Sequence, residues 1–427
     1  MRTKTTKQQR TSLPAKRGLN LALIAALSLP ALPAVAATSL EDLQQQLEVQ
    51  RQQIEALQKQ QAQAPEPGSL ADRSDVSLYG VLDTGVEHIT NIGEDSDGLT
   101  RIPAITGTMA SRLGIDAHID IAEGYRGLAK LEMGFNADDG TQGQGGRLFG
   151  RQLYVGLQTP YGRLTVGRQY SVFLFAQGTS DLIGPNIYAL GSLDAYLPNA
   201  RYDNSLSWMH RFTDRISAGV SYSFGRDTSG GVPASGTCGG ESLQVGDSSA
   251  CQAWSAMLKY DTGTFGLAAA IDTLNGGDGA QAFFFNGQPP VDMSDSGDTD
   301  RRTSLGGYVK LGDGKVGVGW LGRELDTAAT NIQSDAYYVT ANYKFTPKFT
   351  LDGGVYDITN DDQDADATLA VIRGIYNLAS GLDTYAQMGY ITNSDNAAYA
   401  VSGAGPNTAP AAGESQEGYM VGLRYKF

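Results

Sequence analysis

The sequence predicts an all-β fold, a 16-stranded antiparallel transmembrane β-barrel with short periplasmic turns and long extracellular loops, preceded by a short N-terminal coiled-coil helix. Three observations predict it. From Val76 to Phe427 apolar and polar side chains alternate with period two. The connections between the alternating segments are tight on one side and long on the other, as in barrels that span an outer membrane. The polar face carries too many charges for a dry core, because each unpaired buried ion costs several kcal/mol.

The chain opens differently. Arg2, Lys4, Lys7, Arg10, Lys16 and Arg17 precede the apolar stretch Leu19 to Leu29, and Ala34-Val35-Ala36 offers a small-x-small cleavage pattern. Residues 1–36 therefore read as an export signal. Its removal takes six cations and no anions, leaving 26 basic against 46 acidic groups, a net charge of −20 on 391 residues. That balance excludes a nucleic-acid partner, which needs clustered cations on phosphate. Cys238 and Cys251, the two cysteines of the chain, sit in a Gly/Ser-rich stretch and fit an exported protein with one loop disulfide; two free thiols are the alternative. With two cysteines and three histidines in the chain, no metal or cofactor site is expected.

Residues 37–64 shift to Gln, Glu and Leu. Leu40, Leu43, Leu47, Gln50, Ile54 and Leu57 are spaced 3, 4, 3, 4, 3, an a/d seam with one polar layer at Gln50. Ser39 and Asp42 make a capping start, and Pro65 and Pro67-Gly68 end the helix. Three heptads are marginal alone, so the segment would assemble where the rest of the protein holds several copies together. A Gln-rich disordered linker is the alternative. Residues 65–75 link it to the domain 76–427.

Sixteen alternating segments begin near Val76, Ser111, Tyr125, Phe149, Gly162, Arg201, Arg215, Ala253, Thr264, Arg302, Lys315, Asp335, Lys348, Thr368, Leu382 and Gly418. In Arg112 to Ile121, Leu113, Ile115, Ala117, Ile119 and Ile121 make one face and Arg112, Gly114, Asp116, His118 and Asp120 the other. Short connections include Ala122 to Gly124, Thr213-Asp214 and Gly312 to Gly314; long ones include 170–200, 225–252, 275–301 and 392–417. Hydrocarbon cannot satisfy backbone N–H and C=O groups, so a spanning sheet must close on itself. One face then meets lipid and the other meets water. Tyr154, Tyr161, Trp254, Tyr260, Phe265, Tyr343, Phe345, Phe349, Tyr376, Tyr425 and Phe427 are candidates for an aromatic girdle beside the short turns.

Several strings carry a resemblance. They are Ser77-Leu78-Tyr79-Gly80, Ser111-Arg112-Leu113-Gly114, Arg151-Gln152-Leu153-Tyr154-Val155-Gly156-Leu157, Tyr161 to Gln169, Arg201-Tyr202-Asp203-Asn204-Ser205 and Gly422 to Phe427. In this order and spacing the chain resembles a Gram-negative general diffusion porin. The resemblance implies a homotrimer in the bacterial outer membrane whose loop 170–199 folds inward to narrow the pore. It places Asp181 and Asp194 of that loop opposite a basic wall of Arg112, Arg151 and Arg201, with Arg168 as neighbour. Where the family often has a further cation in the first strand, this chain has Val81. The terminal Tyr425 and Phe427 resemble the signal read by the outer-membrane assembly machinery. The N-terminal heptads are similar to periplasmic coiled-coil extensions of some trimeric porins, including dicarboxylate-type channels.

The expected function is passive diffusion of small hydrophilic solutes and ions. A porin selective for small anionic solutes such as carboxylates is the nearest alternative, and an envelope tether, binding peptidoglycan or a periplasmic protein through the coiled coil, is a second. By alternation Arg112, Lys130, Arg151, Arg201, Lys259, Arg302, Lys310, Arg323, Lys344, Arg424 and Lys426 face inward, against Asp116, Asp120, Glu132, Asp203, Asp272 and Asp352. The lumen leans basic, which predicts a weak anion preference. Acids cluster instead in loops, where they would bridge to lipopolysaccharide through divalent cations or stay solvated. No enzyme is expected, since His88, His118 and His210 lack a nucleophile motif.

Overall fold

In the computed structural model, residues 74–427 are described apart from 106–108, 195, 198–199, 227–237, 239–245 and 406. The export signal 1–36, the coil 37–64 with its Leu40, Leu43, Leu47, Gln50, Ile54 and Leu57 seam, and most of the linker lie outside the described residues.

Sixteen strands form the wall: β1 Ser74–Ile92, β2 Arg112–Ala122, β3 Tyr125–Gly134, β4 Gln152–Thr159, β5 Gly162–Tyr170, β6 Arg201–Arg211, β7 Ile216–Ser223 and β8 Ala253–Asp261. Then follow β9 Phe265–Asn275, β10 Thr299–Leu311, β11 Gly314–Asp326, β12 Asn331–Lys344, β13 Phe349–Thr359, β14 Ala367–Ala379, β15 Leu382–Asn393 and β16 Gln416–Lys426. Each pairs antiparallel with its sequence neighbours. The expected starts lie within four residues of those found, the largest offset being Asp335 expected against Asn331 found. Period-two patterning locates strands well because each residue on a pleated wall must face one solvent or the other.

Closure falls to β1. Its first half pairs with β2, from Ser74 opposite Ile119 to Val81 opposite Arg112. Its second half pairs with β16, from Val81 opposite Lys426 to Ile89 opposite Gly418. At the joint Gly80 and Phe427 exchange backbone hydrogen bonds of 2.9 and 3.2 Å. The Phe427 ring lies over Gly80, where a Cβ would come within 2.3 Å of it, so only glycine lets the terminal aromatic seat there.

The outer face is apolar, as the alternation requires: Val76, Leu78, Leu153, Val155, Leu267, Leu305, Val339, Ile372, Val421 and Leu423 are all exposed. Tyr161, Phe265, Tyr343, Phe345, Tyr376, Tyr425 and Phe427 are exposed near the short-turn rim, where the girdle was expected. Two of the expected members sit elsewhere. Tyr154 shares the inner register of Gln152, because Leu153 and Val155 face out. Trp254 starts β8 just after a long loop and belongs to the opposite rim.

Elements that period-two patterning did not predict lie in the long connections. Asp97–Arg101 pairs back on β1, and Gln281–Ala282 pairs with Val291–Asp292. Cys238 and Cys251 are disulfide-bonded with Cα atoms 5.8 Å apart. The bond closes the loop after β7 on itself, and the bonded pair packs against Ala280, Ala282, Phe284 and Met293 of the loop after β9. Among the described residues no helix is long and apolar enough to cross a membrane.

Candidate functional site: an arginine wall and an inward-folded loop

The segment from Ser171 to Ala200 turns into the barrel. It starts with helix α1, Val172–Gln177, which follows Ser171 and ends at Gly178. Val172, Phe173, Ala176, Ile183, Ile187, Tyr188, Leu190 and Leu193 are buried, and they form one cluster with Leu321, Tyr338, Tyr356, Leu369, Val371, Tyr385 and Met420 from the inner faces of β11 to β16. The inner wall is therefore part aqueous lining and part dry seat for this loop.

Glycines make the room. A Cβ at Gly317 would lie 2.1 Å from the Ser180 carbonyl oxygen, and one at Gly418 would lie 2.9 Å from the Tyr188 ring. Polar groups then fix the seat. Tyr338 Oη lies 2.8 Å from Ser180 Oγ, and Thr340 Oγ1 donates to the Ser180 carbonyl at 2.7 Å. Tyr356 Oη donates to Asp181 at 2.8 Å, and Arg373 Nη2 donates to the Ile183 carbonyl at 3.0 Å. Tyr196 Oη donates to Asp272 at 3.1 Å.

Asp194 forms an ion pair with Arg302 of β10 at 2.9 Å, with both side chains almost wholly buried. Neither loop acid looks across the opening at the arginines in the way the sequence resemblance placed them: Asp181 turns to Tyr356 and Asp194 to Arg302. The physical reason is that a loop carboxylate enclosed by the barrel needs a partner at hydrogen-bond distance, and the wall beneath supplies one. Enclosure by the wall pushes the Asp181 carboxyl up to about 6, with the Tyr356 hydroxyl and the Gly184 and Ile183 amides partly offsetting it.

The arginines gather on the other side, Arg112 on β2, Arg151 just ahead of β4, Arg168 on β5 and Arg201 on β6; Arg151 has the sequence parity of the outward Leu153 and Val155, so the turn before β4 and not alternation brings it inward. Glu132 of β3 is shared by Arg151 at 2.8 Å, Arg112 at 3.6 Å and the Tyr79 hydroxyl at 2.7 Å. Asp203 is shared by Arg147 at 3.0 Å and Arg168. Arg151 and Arg201 both donate from Nη2 to the phenolic oxygen of Tyr170, at 2.5 and 2.9 Å. The structure thus brings Arg112, Arg151, Arg168 and Arg201 together. It adds Arg147, which sits in the long connection after β3 and so lies outside any alternation argument, and Tyr170, the last residue of β5.

The two sides hold their charges differently. Arg112, Arg147, Arg151, Arg168 and Arg201 gather in one cluster that shares Glu132 and Asp203. Arg302, Arg323, Arg373 and Arg424 each pair with a carboxylate of their own side, Asp194, Asp300, Asp352 or Asp383. Exposure separates them in part: the side chains of Arg112, Arg168 and Arg147 keep 17, 18 and 23% of their surface and those of Arg302 and Arg323 0 and 3%, while Arg151 and Arg424 are alike at 8 and 9%. A low-dielectric wall around water strengthens the field of the arginine cluster.

Several inward acids escaped the alternation count, among them Asp300, which lies between Arg302 and Arg323 at 3.1 and 2.8 Å. Asp83 accepts from Tyr385 Oη at 2.6 Å, Glu87 pairs with Arg101 at 2.8 Å, and Asp383 pairs with Arg424 at 2.8 Å. The signal was in the register, since Asp83 and Glu87 alternate with Leu82 and Val86. Among the described residues no group of three or more His, Cys, Asp or Glu side chains could hold a metal ion.

A family profile described as Gram-negative porin matches residues 22–396. The chain belongs to the Gram-negative porin family. An outer membrane porin of Bordetella pertussis is 29% identical over 225 residues, which are 49% of this chain and 56% of that one. A major outer membrane protein of Neisseria meningitidis is 27% identical over 143 residues, covering 32% of this chain and 41% of its own. The chain thus spans about half the length of these two relatives. Outer membrane porin protein 32 of Delftia acidovorans is 24% identical over 377 residues, 84% of this chain and 96% of that one. Among solved structures, the anion-selective porin from Comamonas acidovorans superposes with a TM-score of 0.67 at 20% identity, covering 83% of this chain and all of that one. The trimer form of OmpT from Vibrio cholerae gives 0.59 at 18% identity over 83% of this chain and all of that one. These similarities place this porin in the outer membrane and establish its fold as the closed 16-stranded barrel.

Proposed function

We propose that this porin is a homotrimeric outer-membrane channel for passive diffusion of small hydrophilic solutes and ions, favouring anions. The observation that carries the reading is the unequal interior: one wall is sealed under the inward loop, and on the other Arg112, Arg147, Arg151, Arg168 and Arg201 are gathered into one cluster. Solutes pass beside the second wall. Anions lower their energy in its field while cations are repelled, and polar solutes replace hydration by contact with guanidinium groups. The trimer rests on what the Vibrio relative is named, and anion preference agrees with what the Comamonas structure is named.

Within that reading, Arg112, Arg151, Arg168 and Arg201 line the passage as its basic wall, and Asp181 and Asp194 hold the narrowing loop to the barrel. Small carboxylates fit the wall through bidentate arginine contacts. Tyr425 and Phe427 close the barrel on Gly80, which suits a terminal strand recognised during assembly. A tethering role for the N-terminal segment is a separate proposal, supported by its heptad spacing alone.

The test is planar-bilayer recording of the purified protein in a potassium chloride gradient, with solute-exclusion measurements. Stepwise conductance and a reversal potential on the chloride side are expected; silent films or clear cation preference overturn the reading.

A further inference from the structure

Tyr170 ends β5 at the point where the chain departs into the lumen. Its ring stands edge-on to Phe175 of α1, with centroids 6.3 Å apart at 78°. The Arg201 guanidinium lies over its face, 4.6 Å from the centroid. Its hydroxyl oxygen accepts from Arg151 Nη2 at 2.5 Å and from Arg201 Nη2 at 2.9 Å. Two guanidinium donors converging on one oxygen is the arrangement that carboxylate, phosphate and other oxyanions receive from arginine pairs. Here the oxygen belongs to a tyrosine side chain of the channel itself.

We propose that Tyr170 is a specificity-determining residue that fills an oxyanion position between Arg151 and Arg201, so that passing anions feel these cations without being captured by them. The argument rests on the channel reading above and deepens it. An oxygen fixed to the wall in that position keeps a passing anion from taking both donors at once, so the anion meets the cluster through its field. An anion seated there would gain two charge-assisted hydrogen bonds and leave slowly. Throughput requires entry that is favourable and binding weak enough for exit. Phe175 and the Arg201 stacking contact fix the ring, which keeps the hydroxyl in place between the two donors. Removing only that oxygen leaves two donors facing a vacated acceptor position, where a small oxyanion replaces it.

The experiment compares wild type with Tyr170→Phe in planar bilayers carrying chloride current, with inorganic phosphate added as the probe. The ring and its packing are retained, so unchanged heat stability in detergent serves as the control for assembly, and block is read relative to each protein's own open-channel current. Phosphate should block the variant at about tenfold lower concentration than wild type, the effect of one to two added charge-assisted hydrogen bonds. The double variant Tyr170→Phe, Arg151→Gln should lose that block, because one of the two donors is gone. Equal phosphate sensitivity of wild type and Tyr170→Phe overturns the inference while leaving the channel reading intact. A wild type that conducts nothing overturns both. If Tyr170→Phe assembles poorly, Tyr170→Leu, which also lacks the oxygen, is read against the same two outcomes.

Discussion

The two sides of the barrel interior are built from the same alternating strands and do opposite things. On β10 to β16 the inner register carries Tyr338, Tyr356, Tyr385, Leu369 and glycine, and the inward loop covers it; the arginines there are matched by carboxylates and nearly dry. From β2 to β6 the interior carries Arg112, Arg147 and Arg168, which stay partly exposed, together with Arg151 and Arg201, which are largely buried. The difference teaches that an inward-facing arginine has no fixed meaning. Covered by protein, it must be paired, because desolvation of a lone ion exceeds what one hydrogen bond returns. Facing water, it can stay in excess and supply a field.

The comparison breaks most visibly if the wet wall is neutralised. Replacing Arg112, Arg151 and Arg201 together by glutamine should move the reversal potential in a salt gradient from the anion side toward zero, since of the named cluster Arg147 and Arg168 then only match Glu132 and Asp203. The same measurement on Arg323→Gln should leave the sign unchanged, because that charge is buried against Asp300.

Stability should show the opposite ranking. Arg302→Met leaves Asp194 buried without its cation and should cost about 3–5 kcal/mol, read as earlier thermal unfolding by circular dichroism in detergent. Arg147→Met on the wet wall removes a partly solvated pair and should cost about 1 kcal/mol or less.

The disulfide between Cys238 and Cys251 lies outside both walls and sharpens the contrast. Serine at both positions should loosen the loop after β7, with up to about 3 kcal/mol of local stability lost by the chain-entropy argument. Faster amide exchange confined to that loop and its neighbour after β9 is the expected signature, with permeability ratio unchanged.

The smallest effect concerns pH. Asp181 titrates near 6, above the ordinary carboxyl value of 3.8, because its enclosure disfavours the charged form. The folded loop therefore binds the proton more tightly than the unfolded chain does, and its seating strengthens as pH falls from about 6 toward about 4 and levels off below. Thermal stability across that window should rise with acidification in wild type and lose this component in Asp181→Asn.

Much of this was legible in the residues. The strand starts and the outward Leu, Val and Ile follow from period two, and the cluster of Arg112, Arg151 and Arg201 from short strings such as Ser111-Arg112-Leu113-Gly114. The partners of Asp181 and Asp194 were not legible, since Tyr356 and Arg302 lie 175 and 108 positions away in sequence. Nor was Arg147, whose loop has no period to place it. The inward tyrosines read as ordinary strand aromatics because alternation states which face a residue occupies and is silent on what covers that face.

By itself, the amino-acid order determined a closed sheet with one oily and one polar surface, because hydrocarbon leaves no other way to satisfy the backbone and the pleat assigns every side chain to a side. Tertiary structure decided which stretch of the polar surface the loop would seal. That choice depends on contacts between residues far apart in the chain, where glycines opened space for Ser180 and Tyr188 and where each buried charge found its counter-ion.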